Sequence, residues 1–69
     1  MTHVARIDQT PFELDIIDLS HDGRGVARRE DGKAVFVADA LPGERVLVRQ
    51  TARSRSFDEA TTLEVLRAS

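Results

Sequence analysis

Asp31-Gly32, set between Gly25–Glu30 and Lys33–Ala38, constrains this chain more than any other pair of residues. An Asp-Gly step between two apolar-rich runs is a strong local hairpin signal, because both residues tolerate the positive φ that a tight turn needs. The spacing predicts two antiparallel strands joined by a type I′ turn. The second run, Ala34-Val35-Phe36-Val37-Ala38, is apolar at every position and reads as the most buried strand, with Phe36 in the core. It is also the longest apolar run, far too short to span a bilayer.

Similar punctuation recurs along the sequence. Ser20-His21-Asp22-Gly23-Arg24-Gly25 is a turn-rich connection whose two glycines both permit positive φ, and Leu41-Pro42-Gly43-Glu44 is a second turn. Pro11 opens Phe12-Glu13-Leu14-Asp15-Ile16, a clean alternation that fits a half-buried strand, with Phe12 inward. Ile17-Asp18-Leu19 continues out of phase, as a bulge would. A helix competes there, since Thr10-Pro11-Phe12-Glu13 matches a capping box; the paired isoleucines favour strand. Arg45–Arg53 alternates again, with Val46 and Val48 on one side and Arg45, Leu47, Arg49 and Arg53 on the other. Arg53-Ser54-Arg55-Ser56 is a polar loop. Glu59–Leu66 is the second ambiguous stretch: Thr61, Leu63 and Val65 alternate as a strand, while Ala60, Leu63 and Leu66 share a helical face. With both read as strands, the chain is all-β, five short strands in a small, nearly closed barrel, preceded by a flexible lead-in over residues 1–11.

Sixty-nine residues without a cysteine leave room for one small domain, held by neither a disulfide nor a thiolate metal site. The absence of cysteine, of a signal peptide and of a membrane span points to the cytoplasm. His3 and His21 lack metal-ligand spacing, and Gly23-Arg24-Gly25 is not a dinucleotide fingerprint, because Arg28 stands where the third glycine belongs. No serine has a base and an orienting partner in view, and His21 beside Asp22 lacks a third group. These gaps point to a binding module rather than an enzyme.

The net charge of −2 hides an asymmetry: residues 1–22 carry −4, residues 23–55 carry +4 and residues 56–69 carry −2. Nine of the ten cations are arginine, whose planar fork suits bidentate contact with phosphate. The candidate RNA-contacting set is Arg24, Arg28, Arg29, Lys33, Arg45, Arg49, Arg53 and Arg55, with Arg45, Arg49 and Arg53 on one strand face, and His21 beside them. The alternative for each is an arginine whose stem covers the barrel. There are three phenylalanines and no Tyr or Trp, so Phe57 is the sole candidate for base stacking, and binding should depend on phosphate and shape more than base identity.

Asp18-Leu19-Ser20-His21-Asp22-Gly23-Arg24-Gly25-Val26-Ala27, followed by Val35-Phe36-Val37, Leu41-Pro42-Gly43-Glu44 and Phe57-Asp58-Glu59-Ala60, resembles the TRAM domain. The likeness is to the form at the N-terminus of bacterial 23S rRNA (uracil-5-)-methyltransferases. It implies a five-stranded OB-like β-barrel over residues 12–67 that binds RNA, ribosomal in that family, and helps deliver it to a catalytic domain. The enzymes of that family continue into a cysteine-rich 4Fe-4S segment and an S-adenosylmethionine-dependent methyltransferase domain, in which a cysteine adds to uracil C6. With no cysteine, this chain by itself performs no such chemistry and is expected to hold no cofactor. The resemblance thus implies an accessory domain, monomeric, partnered by RNA and by its own methyltransferase domain. A free-standing TRAM protein acting as an RNA chaperone is the alternative within binding modules. In a different class, the barrel is a protein–protein module that docks onto its own catalytic domain, where the arginines pair with acidic side chains.

Overall fold

The computed structural model describes residues 10–68 and contains strands, turns and no helix among them. Both ambiguous segments are strands. The elements are β1 (Phe12–Asp15), β2 (Asp18–Leu19), β3 (Gly25–Arg28), β4 (Ala34–Ala38), β5 (Arg45–Arg53) and β6 (Phe57–Arg67). They form one sheet in the order β1-β5-β6-β4-β3-β2, antiparallel throughout except for the β4–β6 pair.

The two edges of this sheet, β1 and β2, are consecutive halves of one chain segment, so the sheet curls back on itself as an OB-like barrel does. The phase shift at Ile17 marks this division rather than a bulge, and it makes six strands of the expected five. Ile16 donates its N–H to Glu44 O (2.9 Å) and accepts from Gly43 N–H (2.8 Å), whereas Ile17 N–H already reaches Val26 O (2.8 Å). The chain thus leaves β5 and joins β3 within two residues.

Period-two alternation puts Leu14, Ala27, Val35, Val37, Val46, Val48 and Ala60 inside the barrel, with Ile16 and Ala40 at its corners. Phe12 is half-buried against this cluster rather than within it. Phe36 is not in the core. It alternates with Val35 and Val37, which are fully buried, and so lies on the outer face of β4, half-buried.

The hairpin at Asp31-Gly32 forms, but not as a type I′ turn. Arg29 N–H donates to Lys33 O (2.9 Å) and Gly32 N–H to Arg29 O (2.8 Å), leaving Glu30, Asp31 and Gly32 as a three-residue loop. Only Gly32 has positive φ (88°), the arrangement of a turn closed by one left-handed glycine. Asp31 instead accepts the Lys33 N–H through Oδ1 (2.9 Å). Gly25 also departs from expectation, since its φ is not positive. Its role is close approach: a Cβ there would meet Ala40 O and Ile16 Cγ2, both at 2.9 Å, where the chain corner packs.

Candidate nucleic-acid interface

The outer face of β3, β4 and β6 is built from two rows of paired residues. Val26, Phe36 and Glu59 stand side by side, and so do Arg28, Ala34 and Phe57. On this surface Phe36 and Phe57 meet edge to face, centroids 5.2 Å apart and planes at 76°. Both rings are half-buried, so part of each faces solvent. Sequence reasoning missed Phe36 because an all-apolar run reads as core on both faces, and only the pairing with β3 and β6 shows which face it takes.

Arg24 reaches this face from the Ser20–Arg24 turn. Its guanidinium lies 4.9 Å from the Phe36 centroid and donates to Glu59 Oε1 (2.8 Å) and Asp22 Oδ2 (2.9 Å). The turn is fastened by its own side chains: Ser20 donates to Asp22 Oδ1, and Arg24 N–H donates to Ser20 Oγ (3.0 Å). The Ser20 hydroxyl, with Arg24 adding hydrogen bonds and charge, holds the Asp22 carboxyl below its ordinary range. His21 lies exposed at the tip of this turn. Arg28 is exposed at the end of β3 and donates to Gly32 O (2.9 Å). Arg49, exposed on β5, stands opposite Thr61 on the same outer side. Arg55 is exposed in the loop before Phe57.

Four predicted cations belong elsewhere, three of them in ion pairs. Arg45 is clamped by Glu13 Oε1 (2.9 Å) and Asp15 Oδ2 (2.8 Å), which raise its pKa, Glu13 contributing most. Arg29 and Lys33 converge on Asp58, buried at 3% exposure, with Arg29 Nε 2.8 Å from Oδ2 and Lys33 Nζ 2.8 Å from Oδ1. Arg29 also donates to Gln50 Oε1 (2.9 Å) and lies 4.4 Å from the Phe12 centroid. Burial pushes the Asp58 carboxyl up, but its bonds and charge pairing with Lys33 and Arg29 outweigh this and hold it below the ordinary value.

Arg53 does not share a face with Arg45 and Arg49. The β5–β6 register advances from Gln50↔Ala60 to Ala52↔Glu59, so Thr51 is an extra residue and Arg53 falls opposite Asp58. A one-residue slip turns every later side chain over. Arg53 therefore lines the depression at the barrel end with Arg29, Lys33, Gln50 and Asp58. The predicted constellation thus divides into an outer face (Arg24, Arg28, Arg49 and Phe57, joined there by Phe36) and a barrel end (Arg29, Lys33 and Arg53), with Arg45 apart from both and His21 and Arg55 exposed in loops. Among the described residues, Arg28, Arg49, Arg53 and Arg55 form no ion pair.

An OB-like barrel with aromatics and arginines on the outer face of β3 and β4 narrows the family, and sequence comparison decides it. The model of the TRAM domain matches residues 10–56. The chain belongs to the TRAM domain family. This TRAM domain is 69% identical over 67 residues to the 23S rRNA (uracil(1939)-C(5))-methyltransferase RlmD of Stenotrophomonas maltophilia strain R551-3, a match covering 94% of the chain. It is 65% identical over 66 residues to the protein of the same name from Xanthomonas campestris pv. campestris strain 8004, covering 93%. In both cases it spans 15% of the relative's length. The TRAM domain has no cysteine to ligate an iron–sulfur cluster, and no three His, Asp or Glu side chains of the described residues gather as metal ligands.

Proposed function

We propose that this TRAM domain is an RNA-binding accessory domain of an S-adenosylmethionine-dependent 23S rRNA (uracil-5-)-methyltransferase, holding single-stranded RNA across the outer face of β3, β4 and β6. The observation that carries the reading is the half-exposed Phe36–Phe57 pair beside Arg24, Arg28 and Arg49. Single-strand binders combine stacking surfaces with a cationic track. A base can stack on Phe57 or on the Arg24 guanidinium held at Phe36, while Arg28, Arg49 and Arg55 meet neighbouring phosphates. His21 lies close enough to the Arg24 turn to face the same strand. The similarity to 23S rRNA methyltransferases supports a ribosomal substrate. On this reading the domain works as a monomer in the cytoplasm and supplies local concentration of RNA rather than chemistry. S-adenosylmethionine and the 4Fe-4S cluster belong to the remainder of the longer protein.

The test is a fluorescence-anisotropy titration of a single-stranded RNA oligomer at several salt concentrations. Log K should fall against log salt with a slope of about −0.7 per phosphate contacted. An Arg49→Ala variant should lose about one such increment, whereas Arg45→Ala, whose guanidinium is already held by Glu13 and Asp15, should lose less. No affinity even at low salt would falsify the reading.

A further inference from the structure

The far end of β6 is unlike the rest of the barrel. Over Phe57–Thr61 this strand pairs with β4 on one side and β5 on the other. The β4 ladder ends at Ala38↔Thr61, where Thr62 Oγ1 donates to Ala38 O (2.9 Å), and from there to Arg67 the strand pairs with β5 alone. Its other edge has no ladder partner among the described residues. That stretch, Leu63-Glu64-Val65-Leu66-Arg67, carries three of the six large exposed apolar residues among those described: Leu63 (48%), Val65 (42%) and Leu66 (42%). Val65 is the most telling. It stands opposite Val46, which is fully buried, on the core side of the sheet, yet it is left largely open to solvent among the described residues.

A strand with an open edge and uncovered core-side residues is a pairing template that proteins cover or blunt. A second copy of the chain fits poorly, because the register skips at Leu63 and at Leu66 make two bulges, and an identical strand would have to match those bulges with its own, whereas a different strand has only one bulged edge to follow. The relatives offer an occupant, since about 85% of each lies outside the region this chain matches.

We propose that the edge of β6 over residues 63–67, with Leu63, Val65 and Leu66, is the surface on which the rest of the longer polypeptide docks, adding a strand along that edge and apolar side chains across it. The inference rests on the reading of this chain as one domain of a longer protein, not on RNA binding. It reassigns docking from the arginines to an apolar strand end and leaves Phe36, Phe57 and Arg49 open to RNA. Covalent linkage makes such docking intramolecular, so a small apolar surface suffices.

The experiment is hydrogen exchange on the full-length protein. Amides of residues 63–67 that point away from β5 should exchange roughly a hundredfold more slowly than those of the exposed Ser20–Gly23 turn. A Leu63→Asp, Leu66→Asp variant of the same protein should lose that protection while its RNA affinity stays within a factor of about two. Exchange as fast as the turn in the unaltered protein overturns the proposal and leaves the RNA reading standing. So does protection that appears only as concentration rises, which would mean a second copy is the occupant. RNA affinity that collapses in the double variant also overturns it, by placing RNA rather than protein on this edge.

Discussion

Phe36 lies between two fully buried valines and points away from both. That orientation exchanges a stability role for a surface one. Phe36→Ala should weaken RNA binding by about 1–3 kcal/mol, the range for losing one stacked base. It should cost only about 1–2 kcal/mol of stability, because the ring lies on the outer face of the sheet and part of it is already in water. Val35→Ala, at a fully buried site, should cost about 2 kcal/mol with RNA affinity retained. Calorimetry and the anisotropy titration measure the two losses separately. Asp58 is the opposite case, a buried carboxylate whose worth depends on Arg29 and Lys33. Its pKa is lower in the folded chain than the ordinary value near 3.8, so its stabilising contribution is complete above that value and is lost as pH falls through the lowered one. Asp58→Asn should cost about 2 kcal/mol at neutral pH, less than a fully buried pair because both cations reach water. The difference in melting temperature between the two proteins should shrink below about pH 4, and a difference that grew there would contradict the pairing.

At the scale of elements, turn chemistry and alternation made most of the strands legible. Leu14, Val46 and Val48 fall inside as their spacing requires, and the turn at Leu41–Glu44 closes through Glu44 N–H to Leu41 O (3.1 Å). What escaped was set by neighbours absent from the local sequence. The division of the first strand at Ile16 depends on where β5 begins and where β3 takes over as the partner, and no window around Ile16 contains either. The Thr51 bulge appears only in the register against β6, and it carries Arg53 to the far side from Arg49. Gly25 is a tertiary requirement of the same kind. Gly25→Ala should destabilise by about 1–3 kcal/mol, because the carbonyl of Ala40 cannot yield. For a domain of this size that lowers the melting temperature by roughly 4–8 °C per kcal/mol, and an unchanged transition would mean the corner at Ile16 repacks freely.

Across the whole molecule, the midsection's excess of arginine does not form one patch. Arg24, Arg29, Lys33 and Arg45 are drawn into ion pairs with acids from both flanking segments, Asp22, Asp58, Glu59, Glu13 and Asp15. Charge counting located the basic stretch but not which cations stay available, since pairing is decided by the sheet order. The result is a barrel with three distinct regions: an aromatic and cationic outer face, an ion-paired barrel end around Asp58, and an apolar strand end beyond Thr62. The first is the proposed RNA surface and the last the proposed seat of the remaining polypeptide. The most direct measurement is an NMR titration of the isotopically labelled domain with single-stranded RNA. Amide shifts should gather at Arg24, Val26, Arg28, Phe36, Phe57 and Arg49 while Leu63–Arg67 stay still. Shifts gathered instead around Arg29, Lys33 and Arg53, or along the end of β6, would contradict that placement.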